Sequence, residues 1–392
     1  MNDFRWSRLA VRAACTFLAL GVVRWAAPAW CGQDAEAWYR GDQNLVRALA
    51  AEQVEFEADD SVLRDRDPDN RYVGEWALVT HQMTALGLGQ TILAHPDWKA
   101  TYAKPMRDAA LRSFLPEMRD FGTQAWHGED ALESLASDHG HAYLAYSALA
   151  VGMARWVEPT GFPPDVARAH DALIAAYVRR LAASPSALIE TYPGEAYPTD
   201  IAAVAAAIAV HGRATGEDHH AVLAHWARGV REHQRDAGSG FVHQRMGASG
   251  HPHDVPRGSG TGLAAYYTGF VDRGLAAELT QALVDHERTC FGFGGVAEFA
   301  ERDGHGDIDS GPVVLGVSVA ATGFTLGALR ANHTRLGQAA FTRIFRTTAL
   351  FGLPTERDGT MRFRSGGPIG NSLLLAMLTA LPLDSAATGP RS

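Results

Sequence analysis

Two kinds of helical pattern alternate along this chain. Residues 77–88, 142–153, 201–210, 262–271, 313–329 and 372–381 are apolar on almost every face. Residues 35–51, 100–119, 164–183, 219–234, 273–286 and 335–350 carry a single apolar stripe. In 164–183, Val166, Ala169, Leu173, Ala176, Tyr177 and Leu181 share that stripe, while Arg168, Asp171, Arg179 and Arg180 face away. A helix apolar all round is buried, whereas an amphipathic one lies at a surface. Six alternations predict an inner ring of six helices inside an outer ring of six, an all-α (α/α)6 toroid. Abundant alanine and scarce strand-like alternation agree with an α protein.

Each apolar run follows a turn rich in glycine and polar residues. The turns are Gly74-Glu75-Trp76, Asp138-His139-Gly140-His141, Tyr197-Pro198-Thr199-Asp200, Pro256-Arg257-Gly258-Ser259, the stretch from Gly304 to Pro312, and the stretch from Gly366 to Asn371. Inner helices of such a toroid run parallel, so these turns converge on one funnel, with helix N-termini that favour anionic groups. Ser259, Ser310, Asn371 and Thr199 suit N-cap positions. With Ser310 as cap and Pro312 in the first turn, the fifth inner helix would run from Val313 to Leu329. Asp307 and Asp309 would then sit beside its positive end.

The richest turn is 190–200, where Glu190, Glu195 and Asp200 accompany Tyr192 and Tyr197, stiffened by Pro193 and Pro198. Asp200 is either a catalytic carboxylate at the start of an apolar helix or a simple cap. Glycoside hydrolysis needs two carboxylates about 5 Å apart for retention, or about 6.5–9.5 Å apart for inversion. Asp200 and Asp309 form the expected pair, with Glu75 and Glu195 in reserve. Trp76, Trp126, Tyr192 and Tyr197 are the expected stacking surfaces. His141 is expected to move protons; His139 reads equally as a buried structural histidine. Arg257 suits either a substrate clamp or a structural partner for Asp307, and Asp307 either fixes substrate hydroxyls or orders its glycine turn. Asp303, Asp307 and Asp309 lack the spacing of an EF-hand loop. The histidine-rich residues 241–253 read as a hairpin-like excursion over the funnel, not as a metal site.

The 392 residues are 46% hydrophobic and 20% charged, enough for a sizeable core. A net charge of -9 without a Lys/Arg cluster argues against a nucleic-acid partner. No Pro-, Gly- or Ser-rich linker divides 30–385, expected as one domain, with 386–392 a disordered tail. Residues 1–29 read as a signal peptide or a retained membrane anchor. Arg5, Arg8 and Arg12 precede the apolar stretch 13–23, and Ala27-Pro28-Ala29 offers a cleavage site. That predicts a periplasmic or secreted protein whose mature form begins near Trp30. Cys31 and Cys290 could pair in an oxidising compartment, and no Cys/His spacing suggests zinc.

Asp138-His139-Gly140-His141-Ala142-Tyr143-Leu144, the 190–200 loop and the Asp307–Leu329 segment resemble the linalool dehydratase/isomerase family, over roughly residues 70–350. The resemblance implies a cofactor-free (α/α)6 barrel that hydrates, dehydrates and isomerises a monoterpene alcohol. His141 falls at that family's catalytic histidine, and Thr191 and Asp200 fall where it has two catalytic cysteines. The leading expectation is an exported, cofactor-independent enzyme acting on a glycan by carboxylate acid/base catalysis. A lyase or isomerase on a terpenoid alcohol, with His141 and Asp200 moving protons, is the second reading. A non-catalytic toroid that binds a glycan or a protein is the third.

Overall fold

The computed structural model describes residues 3–58, 71–130, 142–247, 249–301, 304–307, 310–333 and 335–382. Its helices are α1 (Asp3–Cys31), α2 (Ala35–Arg40), α3 (Gln43–Ala58), α4 (Arg71–Ala94), α5 (Lys99–Arg112), α6 (Pro116–Ala125), α7 (Ala142–Val157) and α8 (Pro164–Ala183). They continue with α9 (Pro198–Thr215), α10 (His220–Gly229), α11 (Gly258–Thr268), α12 (Arg273–Asp285), α13 (Val319–Asn332), α14 (Arg335–Gly352) and α15 (Gly367–Leu378). Three antiparallel hairpins pair β1 (Glu287–Cys290) with β2 (Phe293–Val296), β3 (Val313–Val314) with β4 (Val317–Ser318), and β5 (Pro354–Arg357) with β6 (Thr360–Phe363).

The all-apolar runs form the inner ring. In order α4, α7, α9, α11, α13 and α15 each pack on the next, and α15 packs back on α4. The striped helices α3, α5, α8, α10, α12 and α14 surround them, so the expected (α/α)6 toroid is the fold observed. Small side chains set the inner spacing: Ala205, Ala206 and Ala207 of α9 are fully buried. At the closing contact a Cβ on Gly87 would lie 2.6 Å from Leu375 Cγ, so only glycine admits α15 there. Gln90 Nε2 locks that contact by donating to the Ala376 carbonyl at 2.9 Å and to Thr379 Oγ1 at 3.2 Å.

Local chemistry explains where the helices depart from the sequence pattern. Gly41, left-handed at φ 76°, separates α2 from α3 within the predicted 35–51 helix. Pro116 opens a new helix within 100–119. The fifth inner helix begins at Val319, not Val313. Valine-rich 313–318 instead folds as a hairpin around Leu315 and Gly316, both at positive φ. Ser318 is therefore the cap, accepting from the Ala321 amide at 3.1 Å. Ser310 instead pairs with Asp307: the side chain of each accepts the other's backbone N–H, at 2.9 and 3.0 Å. Asp307 thus does not flank a helix start.

The other expected caps also act differently. Asn371 lies inside α15, where its side chain accepts from the Phe363 amide at 2.7 Å and donates to the Phe363 carbonyl at 3.1 Å, fastening β6. Thr199 Oγ1 donates to the Gly260 carbonyl at 3.1 Å, tying α9 to α11. Ser259 bonds a carboxylate described below. The helix α4 starts at least by Arg71, so Glu75 and Trp76 belong to the helix and not to a turn.

α1 continues through 27–29, and Pro28 and Cys31 are buried where its end meets α14. No described helix is long and apolar enough to cross a membrane. Cys31 is buried, Cys290 is exposed and both are free thiols, so the disulfide is not formed. The expected tail 386–392 lies outside the described residues.

Candidate functional site

A cavity of about 1050 Å³ opens at the N-terminal end of the inner ring. All six inner helices contribute side chains to it. α4 supplies Glu75, Trp76 and Val79, α7 supplies Tyr146, α9 supplies Thr199 and Asp200, and α11 supplies Ser259, Gly260 and Leu263. α13 gives Phe324, and α15 gives Ile369, Leu373, Leu374 and Met377. The cavity has two chemically different sides. Carboxylates, tyrosines and Gln244 line one; α13–α15 line the other with mostly aliphatic and aromatic side chains, together with Thr322, Thr347 and Thr348.

Asp200 sits in the first turn of α9 and is 6% exposed. The hydroxyl of buried Tyr146 donates to its Oδ1 at 2.6 Å. Burial and then the charge of Asp200 push the Tyr146 phenol well above its ordinary pKa, so it remains a donor. Behind it, Tyr267 packs at 6.3 Å between ring centres and accepts from Gln82 Nε2 at 3.2 Å.

The 190–200 loop forms the rim. Tyr192 and Glu195 bridge each other around Pro193 and left-handed Gly194. Ala196 pairs with Met246 through two backbone bonds of 2.8 and 2.9 Å, which joins the rim to the histidine-rich excursion. Glu195 accepts from Arg245 Nη1 at 2.6 Å and from the Tyr197 hydroxyl at 3.1 Å. Burial first, and Glu195 second, raise the Tyr197 phenol pKa. Tyr192 and Tyr197 pack edge to face with centres 5.3 Å apart. Both face the cavity, as does Trp76, which is 44% exposed. Thr191 is buried and accepts from the Tyr197 amide at 3.1 Å, holding the loop rather than lining the cavity.

Three expected site residues lie elsewhere. Trp126 is the buried C-cap residue of α6, packed into the protein like the apolar ring it is, and does not line the cavity. Arg257, the N-cap residue of α11, is paired with Asp307 and with Asp254 at 3.1 Å, and neither Arg257 nor Asp307 reaches the cavity wall. Of the two roles open to Arg257, the structural one is observed. Burial alone would raise the Asp307 pKa, but the Ser310 amide and the Arg257 guanidinium outweigh it and hold the carboxyl below its ordinary value. His139, His141 and Asp309 lie outside the described residues.

Tyr146 and Glu298 carry interactions the sequence pattern did not single out. Tyr146 is one tyrosine among apolar residues, and only its place in the first turn and a half of an inner helix could have marked it. Glu298 is fully buried at the N-terminus of α11, accepting from Ser259 Oγ at 2.7 Å and from the Ser259 amide at 3.2 Å. Burial raises its pKa, partly opposed by the bonds from Ser259. No apolar run or turn motif flags that position.

No protein-family profile matches the chain, and no curated protein matches it. Among solved structures it is similar to a family 105 glycoside hydrolase from C. acetobutylicum ATCC 824. The identity is 12% and the TM-score 0.51, over 83% of this chain and 98% of that one. An unsaturated glucuronyl hydrolase from Bacillus sp. GL1 aligns with a TM-score of 0.47 at 12% identity, over 76% of this chain and 85% of its own. One from Streptococcus agalactiae gives 0.44 at 11%, over 76% and 80%. At these identities the likeness is one of fold. The match at a TM-score of 0.51 supports the (α/α)6 architecture and lends nothing to the linalool-enzyme resemblance.

Proposed function

We propose that this chain is a glycan-acting hydrolase with Asp200 at its centre. The observation that carries the reading is a buried carboxylate, bonded by a tyrosine hydroxyl, facing a cavity that also receives Glu75, Glu195 and exposed aromatic rings. The Tyr146 hydroxyl donates to Asp200 and so fixes the position of its carboxylate beside the cavity. Asp309 is the proposed partner acid, with Glu75 beside Trp76 in reserve. Trp76, Tyr192 and Tyr197 offer faces to a sugar ring. Glu195, itself fixed by Arg245, accepts from the Tyr197 hydroxyl, which makes it a positioning residue. The described fold neighbour with a TM-score of 0.51 bears the name glycoside hydrolase, and the proposal extends that activity class to this chain.

The aliphatic side of the cavity supports a second reading, a lyase or isomerase acting on a terpenoid alcohol through Asp200 and His141. Purified protein incubated separately with a glycan panel, including unsaturated uronides, and with terpenoid alcohols separates the two. Release of reducing sugar that is lost in Asp200→Asn is the expected result. Turnover of the alcohols alone would replace the first reading with the second, and no turnover of either would leave a binding toroid. Export is part of the proposal: protein from its native host should begin near Trp30, and an intact Met1 in a soluble cytoplasmic fraction would refute it.

A further inference from the structure

At the far end of the barrel from the cavity, a second group of side chains converges. His211 lies near the end of α9, Glu217 and His219 lie in the turn before α10, and Asp171 lies on α8. We propose that His211, Glu217 and His219 bind a transition-metal dication of the Zn²⁺ type, with Asp171 orienting His211.

The donor atoms of the three residues lie within 4.8 Å of one another. His211 Nδ1 and His219 Nε2 are 3.1 Å apart. Two imidazole nitrogens at about 2.0–2.1 Å from a tetrahedral zinc stand about 3.3 Å apart, so the gap needs to open only slightly. Asp171 Oδ1 accepts from His211 Nε2 at 3.0 Å. That bond places the ring proton on Nε2 and leaves the Nδ1 lone pair facing His219, the carboxylate–histidine arrangement that orients metal ligands. Without metal, His219 Nε2–H fills the lone pair by hydrogen bonding; metal uptake needs its proton on Nδ1 instead, with no net proton released.

The turn is built to hold this geometry. Thr215 Oγ1 accepts from the Glu217 amide at 3.2 Å and donates to the His211 carbonyl at 2.9 Å. A Cβ on Gly212 would lie 2.8 Å from the Glu217 carbonyl oxygen and 3.4 Å from the His219 ring, so glycine lets the turn lie on α9. The two imidazoles are 2% and 10% exposed, while Glu217 is 62% exposed, leaving an entry path and a solvent-side ligand. The adjoining trio His170, Asp171 and His211 is not a cation site, because the Arg155 guanidinium already occupies it, bonded to Asp171 at 2.5 Å and His170 at 2.8 Å. Linear spacing hides the site: one ligand ends a helix and the others follow its left-handed Gly216.

Isothermal titration of the full chain with ZnCl₂, and Co²⁺ absorption as a coordination probe, test the assignment. One equivalent should bind, with tetrahedral-type Co²⁺ bands. His219→Gln should weaken binding at least about tenfold and abolish those bands, Glu217→Gln should weaken it less, and Asp171→Asn by about 10–100-fold. A paired His251→Gln, His253→Gln variant should leave binding unchanged. Circular dichroism checks that each variant is folded. Absence of binding, or binding that persists in folded His219→Gln or disappears in the His251/His253 variant, would overturn the proposal.

Discussion

Replacing Tyr146 by phenylalanine removes one oxygen from a buried site and leaves the ring packing in place. The lost bond is 2.6 Å long, within the about 2.5–2.7 Å range of a hydroxyl bonded to a charged oxygen. Such bonds are worth about 1.5–3 kcal/mol, and Asp200 at 6% exposure has little water to substitute for the donor. At about 1.4 kcal/mol per tenfold change, the pair corresponds to about a 10- to 150-fold effect on an equilibrium. A double-mutant cycle isolates it: urea unfolding of the parent, Tyr146→Phe, Asp200→Ala and the double variant should give an interaction energy of about 1.5–3 kcal/mol. If the proposed function holds, Tyr146→Phe should also lower glycan turnover with little change in KM, because Asp200 is positioned by that hydroxyl. An interaction energy below about 0.5 kcal/mol would refute the reasoning, reducing Tyr146 to a packed ring.

Glu298→Gln should flatten the acid-to-neutral stability profile. The raised Glu298 pKa gives a contribution that is complete below its ordinary value of 4.5 and is lost as pH rises through the folded value, so thermal unfolding from pH 4 to 8 reads the difference. Asp307 acts in the opposite sense: its contribution is present above the ordinary 3.8 and lost as pH falls through the lowered folded value. Asp307→Asn should cost less than about 1 kcal/mol at pH 7, since the group is partly exposed, and should leave turnover intact. Arg330 is buried and donates to the Trp38 and Tyr39 carbonyls at 2.5 and 2.7 Å, so Arg330→Met should cost about 3 kcal/mol or more in urea unfolding.

The architecture was legible because two helix patterns differ in periodicity, and periodicity reports burial directly. The 164–183 run became α8 with its bounds intact. It buries Leu173, Ala176, Tyr177 and Leu181 of the expected stripe, while Ala169 faces outward and His170 and Ile174 join the buried face. The pattern misled where hydrophobicity was continuous but the residues were β-branched: 313–318 reads as helix by polarity and forms a hairpin by backbone preference. Asp200, Tyr192 and Tyr197 stood out because a polar turn met an apolar helix. Tyr146 and Glu298 did not, because their roles depend on partners 54 and 39 residues away, which no local pattern encodes. Arg257 was legible as a charge at a helix start, but its choice between substrate and Asp307 is a matter of direction, which only the fold supplies.

The contact between α15 and α4 makes the ring's connectivity partly arbitrary. Gln90 and Ala376 are 286 residues apart in the chain, yet their interface has the same character as the sequential ones. During synthesis, one face of α4 therefore waits for almost the whole barrel before its neighbour exists, and loop closure over that span is the slow kind. A circular permutant that joined the far ends and opened an outer turn on the face away from the cavity would keep all six inner interfaces. It would change only which of them is made last.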